Sequence, residues 1–413
     1  MSDFLQLISL ITIILVAAKI AGYLSTRIKQ PSVFGELLVG VVLGPSLINL
    51  THLPFVSNIH LPETITEIGE IGVLLLMFLA GLELHLNDLA KNARVAALAG
   101  IFGVLFPVGM GIGFGELIGM DFNHSMFLGL TLGATSVSIS AQVLIELQKI
   151  RSRVGLGLLG AAIFDDILVI LLLSTFIAVL SSDAQSAGIL IVFVKMIIFF
   201  ALSTAFGLWV LPATVRYVHK LSISQGVTTL ALVVMLVYAL AAELVGGMAA
   251  ITGAFLGGLM FARTPEKNLI ESNLHSIAYA FFVPIFFISI GLSVDLRSIS
   301  SDAIWIILAI SAIAVVGKVV GSGLGAKLSK FSTRESLQIG IGMISRGEVG
   351  LIIAKIGLES NFLSSELFSA IIAMILITTV LTPPLLRASF DHKQKPNEPI
   401  MKETDTTINK ESA

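Results

Sequence analysis

The stretch Gly160-Ala161-Ala162-Ile163-Phe164-Asp165-Asp166-Ile167-Leu168-Val169-Ile170 sets two adjacent carboxylates inside an apolar run covering residues 155–181. Roughly 20 such residues suffice to cross a bilayer as a helix. Asp165 and Asp166 occupy positions eleven and twelve of the run, near mid-depth. An aspartate there costs about 2.5–3.5 kcal/mol to insert, and two like charges side by side also repel. Intramembrane carboxylates of this kind mark an ion or proton path by default. A single protonated carboxyl capping a polar contact would not account for the second one. Neighbouring helix positions are about 100° apart. The two carboxyls therefore address different surroundings, and one can hold a fixed partner while the other faces a cavity.

The rest of the 413-residue chain agrees with a membrane setting: 55% of it is hydrophobic and only 13% charged, against about 25% charged in soluble domains. There are no cysteines, which excludes disulfides, thiolate chemistry and iron–sulfur clusters. The net charge of −2 speaks against a nucleic-acid partner. The first apolar stretch begins at Phe4 without a basic flank or a small-residue cleavage site before Gly22, so it reads as a retained helix.

Thirteen spans are expected, at 4–24, 33–50, 65–83, 95–118, 125–146, 155–181, 187–212, 226–244, 247–262, 277–294, 303–326, 335–357 and 366–387. The basic residues test this number. Connections after odd-numbered spans, with the C-terminal end, hold 19 Lys and Arg, and those after even-numbered spans hold one, Arg297. The positive-inside rule then puts the N-terminus outside and the C-terminus in the cytoplasm. A wrong number of spans would scramble the alternation. Residues 391–413 form a polar tail, expected to be disordered.

Five basic residues fall inside spans: Lys19, Lys195, Lys318, Arg346 and Lys355. Lys19 and Lys355 lie near span ends and can snorkel. Lys318 and Arg346 are deep. A buried ammonium is strongly unfavourable unless paired, so Lys318, within Val316-Gly317-Lys318-Val319-Val320-Gly321, is the natural partner for one of the two aspartates. The alternative is a static salt bridge. Arg346 and Glu348 are two apart and face different sides of span 12, so each needs its own partner. Glu83 and Glu243, at span ends, are weaker candidates for the same network. All seven histidines lie in loops, the tail or span ends, which argues against a buried histidine relay.

An internal repeat is visible. Ala80-Gly81-Leu82-Glu83-Leu84-His85-Leu86 in span 3 and Ile290-Gly291-Leu292-Ser293-Val294-Asp295-Leu296 in span 10 share Gly-Leu-x-x-x-Leu at an offset of 210. Gly35 and Gly40 in span 2 match Gly253 and Gly258 in span 9. The paired spans run in opposite directions, as in inverted-repeat transporters. Spans 5 and 12 are both interrupted at mid-depth, by Gly133-Ala134-Thr135-Ser136-Val137-Ser138 and by Gly340-Ile341-Gly342-Met343-Ile344-Ser345-Arg346-Gly347-Glu348. Broken helices expose carbonyls and helix ends where an ion can sit. Tight packing through small residues would explain isolated glycines but not Arg346 and Glu348. Hard cations favour oxygen ligands, so Thr135, Ser136 and Ser138 could join Asp166, with Asp165, around an alkali cation. Competition of cation and proton for one carboxylate suffices for exchange.

These segments resemble the monovalent cation:proton antiporter-2 family, in its NapA- and GerN-like bacterial branch. The resemblance covers nearly all of residues 4–390. It is carried by Gly35-Glu36-Leu37-Leu38-Val39-Gly40 with Gly44-Pro45, Ala80-Gly81-Leu82-Glu83, Ala134-Thr135-Ser136-Val137, Gly160 to Asp166, Gly253 to Gly258, Pro284-Ile285-Phe286-Phe287, Gly317-Lys318 and Arg346-Gly347-Glu348-Val349-Gly350-Leu351. It implies an all-α polytopic fold of the NhaA/NapA kind, with two crossed discontinuous helices. It also implies a homodimer in a bacterial cytoplasmic membrane. The six-helix core would comprise about 95–181 and 303–387, and the other helices would serve as scaffold, dimerisation surface and linker. By resemblance Asp165 matches the aspartate that pairs with a lysine, Lys318 that lysine, and Asp166 the ion-binding aspartate. Asp-Asp with a core lysine goes with electrogenic exchange of two protons per Na⁺, whereas Asn-Asp and Gln-Asp mark electroneutral and gated potassium relatives. The chain departs from the pattern at Ser345, where a proline often stands, and at Glu243, in a usually apolar segment.

The expected function is therefore Na⁺ or Li⁺ exchange for H⁺ in pH homeostasis, with no cofactor beyond the transported ions. K⁺/H⁺ exchange, with a separate regulatory subunit, is the alternative. A sodium-coupled symporter or a channel is a third option, but the spans offer little polarity beyond an ion-sized set. Nothing in the sequence has the spacing of an enzyme's nucleophile and base.

Overall fold

The computed structural model describes residues 2–50, 56, 60–84, 91–180, 187–221, 223–292, 297 and 304–390. The polar tail, and the second halves of the two Gly-Leu-x-x-x-Leu matches (His85-Leu86 and Ser293 to Leu296), lie outside them. All regular structure among the described residues is helical.

Helices occupy all thirteen expected places. They are α1 (Asp3–Arg27), α2 (Ser32–Leu43), α3 (Leu61–Glu83), α4 (Ala93–Leu117), α5a (Phe122–Gly133) with α5b (Val137–Glu146), and α6 (Arg153–Leu180). Then come α7 (Ala187–Ala205, a π-turn at Phe206–Val210, and Leu211–Lys220), α8 (Gly226–Leu244) and α9 (Ala250–Phe261). The last are α10 (Lys267–Ile277, a π-turn at Ala278–Phe282, and Val283–Leu292), α11 (Ile304–Leu328), α12a (Thr333–Gly342) with α12b (Glu348–Glu359), and α13 (Ser365–Phe390). Ten of these places hold a helix long and apolar enough to cross a bilayer. The other three are α2, α9 and the broken α12. At 12 residues each, α2 and α9 are only about 18 Å long. The expected span 33–50 thus overstated α2. Its helix stops at Gly44, and the apolar residues after it run through turns, including one at Asn49 with φ 55°.

The repeat is structural. α2 packs on α10, and α9 packs on α3; α1 packs on α2, and α8 on α9. α4 packs on α5a and α6, and α11 on α12a and α13, while α4 and α11 pack on each other. Helices α1–α6 therefore correspond to α8–α13, with α7 between, and an odd number of spans separates them, which inverts the second half.

The repeated glycines show why. A β-carbon on Gly40 would lie 2.5 Å from the Ile288 carbonyl oxygen, and one on Gly258 would lie 1.9 Å from that of Phe78. Across the same two crossings, a β-carbon on Gly291 would press on the Gly40–Val41 backbone and one on Gly81 on the Phe255 carbonyl at 2.1 Å. Backbones meet directly in both halves, and only glycine allows it. Gly258→Val is expected to cost at least about 3 kcal/mol, since it drives a side chain into backbone. Gly109→Ala, where an added carbon meets nothing within 4 Å, should be neutral or up to about 1 kcal/mol stabilising, through helix propensity. Thermal melting of the purified variants checks both.

The largest apolar cluster joins helices of both halves, through Leu76, Leu158, Phe255 and Phe287, and two smaller ones flank it. α4, α5, α6, α11, α12 and α13 surround one apolar cluster that includes Val104, Phe127, Ile310 and Met374. α1, α2, α3 and α10 enclose another, with Leu10, Ile65 and Ile288. Large apolar side chains such as Leu117, Trp209 and Leu244 are more than three-quarters exposed, as lipid-facing residues are.

Candidate functional site

α5 and α12 break at mid-length and cross there. α5a ends at Gly133 and α5b begins at Val137; α12a ends at Gly342 and α12b begins at Glu348. The two breaks are tied by reciprocal hydrogen bonds. The Ser136 N–H donates to the Ser345 carbonyl at 2.9 Å, and Ser345 Oγ donates to the Ser136 carbonyl at 2.6 Å. Ser140 Oγ donates to the Gly342 carbonyl. Short hydroxyl side chains satisfy backbone groups that a broken helix leaves open. Ser345 thus uses its hydroxyl to close the crossing.

Arg346 fills the space between the breaks and is fully buried. Its Nη1 donates to the Met343 and Ile344 carbonyls at 3.2 and 2.9 Å, and its Nη2 to the Leu132 and Ala314 carbonyls at 2.7 and 3.1 Å. The guanidinium therefore closes the carbonyl ends of both α5a and α12a, where helix dipoles place negative charge. Its own carbonyl accepts from Thr379 Oγ1 at 2.6 Å, while Nε has no hydrogen-bond partner. The partner Arg346 needs is thus a set of backbone carbonyls. The Glu348 side chain lies outside the described residues.

On α6 the two aspartates diverge. Asp165 faces α4 and α11. It is completely buried, and its Oδ1 forms an ion pair and hydrogen bond with Lys318 Nζ, which is equally buried. Gly103 of α4 faces this pair and makes room for Ser322 beside it: a β-carbon there would lie 2.3 Å from Ser322 Oγ. Asp165 Oδ2 and Thr135 Oγ1 are both buried without a hydrogen-bond partner among the described residues. Lys318 also feels Asp166 and Arg346.

Asp166 faces the other way, into a small cavity between α3 and α9 on one side and α5b and α6 on the other. Met77 of α3, Val137 at the start of α5b, Leu159 and Ile163 of α6, and Ile251, Thr252 and Phe255 of α9 line it. Asp166 is 4% exposed. Thr252 Oγ1 lies 3.4 Å from its Oδ2, a contact nothing in the sequence indicated. Of the hydroxyls expected around Asp166, Ser136 and Ser138 are buried and bond to each other at 3.0 Å. The break reaches the cavity through Val137 instead. Glu83 sits at the end of α3 among Glu271, Arg151 and Lys267. Glu243 is exposed on α8, with Glu70 as a charged neighbour. Neither joins the aspartate pair.

A buried carboxylate on a cavity between packed helices, beside an internal ion pair and two crossed broken helices in inverted repeats, defines a secondary ion transporter. A family model described as sodium/hydrogen exchanger, transmembrane, matches residues 13–388, and the chain belongs to that family. It is 41% identical over 385 residues to the Na(+)/H(+)-K(+) antiporter GerN of Bacillus cereus, covering 93% of this chain and 96% of the relative. It is 35% identical over 384 residues to the Na(+)/H(+) antiporter of Enterococcus hirae, covering 93% and 98%. The fold matches the sodium proton antiporter MjNhaP1 of Methanocaldococcus jannaschii with a TM-score of 0.68 at 19% identity, over 94% of this chain and 96% of that one.

Proposed function

We propose that this protein exchanges Na⁺ or Li⁺ for H⁺ across a bacterial cytoplasmic membrane by alternating access, as a homodimer with its N-terminus outside and its C-terminus in the cytoplasm. The observation that carries this is the placement of Asp166. It lies midway along α6 (Arg153–Leu180), nearly buried, on a cavity lined by α3, α5b, α6 and α9. A proton and a desolvated cation compete for its carboxylate, and sliding of α5b and α6 past α3 and α9 would open the cavity to either side in turn. The Asp165–Lys318 pair supports electrogenic exchange: a cation that draws Asp165 away from Lys318 trades for the lysine proton as well as the Asp166 proton. Thr252, and Thr135 near Asp165, are the nearest neutral oxygens for a hard cation.

K⁺ is a second reading, favoured by the Na(+)/H(+)-K(+) antiporter name of the 41% identical relative. A proteoliposome pH-gradient assay comparing Na⁺, Li⁺ and K⁺ across pH decides between them. Absence of proton movement with all three would overturn the proposal.

Lys318→Ala leaves Asp165 buried without its counter-charge. Breaking a buried pair typically costs about 3–5 kcal/mol, so the variant should melt well below wild type. Any exchange that survives should no longer respond to membrane potential. Unchanged melting and unchanged voltage dependence would remove Lys318 from the mechanism.

A further inference from the structure

A second, polar cavity lies away from Asp166, where α1, α2, α5b and α10 meet. Its volume is about 260 Å³, and Lys19, Ser32, Glu36, Gln142 and Tyr279 are among its walls. Most of these polar groups are engaged. Glu146, at the end of α5b, accepts from the Ser32 N–H at 2.8 Å, from Ser32 Oγ at 2.6 Å and from Gln142 Nε2 at 2.9 Å. Tyr279 Oη donates to Gln142 Oε1 at 2.8 Å, and Lys19 Nζ donates to the Tyr279 carbonyl at 2.7 Å. Glu36 differs. It is 6% exposed and lines the cavity, yet it forms no hydrogen bond and no ion pair with any described residue. The charges that reach it are those of Lys19 and Glu146.

We propose that Glu36 and this cavity bind an alkali-metal cation at a site separate from Asp165 and Asp166. A nine-tenths-buried carboxylate that lines a cavity with no hydrogen-bond partner among the described residues has lost hydration that a bound cation would offset. Hard monovalent cations take oxygen ligands. The Glu36 carboxylate supplies the charge, and Tyr279 Oη and Gln142 Oε1 supply neutral lone pairs. Lys19, Glu36 and Glu146 together carry one net negative charge when ionised, which one monovalent cation balances. Lys19 is directed to the Tyr279 carbonyl, which leaves the carboxylate open. The site spans α1, α2 and α10 on one side and α5b on the other, so occupancy would bear on how α5b seats against its neighbours.

The test is thermal melting of the detergent-purified full chain, followed by the fluorescence of Trp209 and Trp305. NaCl and KCl are compared with choline chloride at equal ionic strength. The Asp166→Asn protein should keep a saturable, cation-dependent rise in melting temperature, and adding Glu36→Gln should remove it. Gly22→Val gives an independent arm. A β-carbon at Gly22 lies 3.5 Å from Glu36 Oε1, so the larger side chain crowds the site while leaving the charge, and it too should remove the rise. If the Glu36 variant does not fold, the Gly22 variant carries the test alone. No cation-specific rise in Asp166→Asn, or a rise that survives the substitutions, overturns the site. Neither result depends on transport.

Discussion

Asp166→Asn is expected to abolish Na⁺-driven proton movement in everted vesicles while leaving the protein folded. Asparagine keeps the shape of the side chain and an oxygen for Thr252 Oγ1, now 3.4 Å away, but it can carry neither a proton nor a compensating charge. Interactions with an ionised group are worth about 1.5–3 kcal/mol even when partly hydrated. A desolvated cation that loses the Asp166 carboxylate should therefore bind roughly 10- to 100-fold more weakly. Melting should change little, because Asp166 lines a cavity and asparagine nearly matches it in size. Wild-type exchange in this variant would sink the proposed mechanism. Loss of exchange with loss of folding would be tested again with Asp166→Glu, which keeps the charge.

Arg346→Ala should remove folded protein from the membrane altogether. Four carbonyls from three separate stretches, Leu132 of α5a, Ala314 of α11 and the Met343–Ile344 pair in the α12 break, share one guanidinium at 2.7–3.2 Å. None can turn to water at that depth. Each loses a charge-assisted bond of about 1.5–3 kcal/mol, and the sum rivals the 5–15 kcal/mol that separates most folded proteins from unfolding. Arg346→Lys supplies charge without the planar fork and should give an intermediate yield. The readout is monodisperse protein recovered in detergent, with melting temperature. If Arg346→Ala folds normally and fails only in transport, the residue belongs to the ion path and its capping role is wrong.

Much of this was legible in the sequence, for physical reasons. Hydropathy and the placement of lysine and arginine gave thirteen spans, and helices occupy all thirteen places, because lipid leaves a chain few alternatives to helix. Clusters of Gly, Ser and Thr marked both breaks. Lys318 stood out because a buried ammonium demands a carboxylate. Other features were hidden. The length of α2 was overstated because the turns after Leu43 are as apolar as a helix would be. Arg346 was visible as a charge needing a partner, but carbonyls carry no signature in a sequence. Thr252 lies 86 positions from Asp166, and Ser32 lies 114 from Glu146. No periodicity connects such pairs, and only the packing of the inverted halves brings them together.

The reciprocal bonds between Ser136 and Ser345 have a mechanical meaning. Each break supplies the partners that the other one lacks, so parting α5b from α12b would leave backbone groups of both unpaired at once, and Arg346 adds the carbonyls at the ends of α5a and α12a to the same unit. The two discontinuities are thus one joint rather than two.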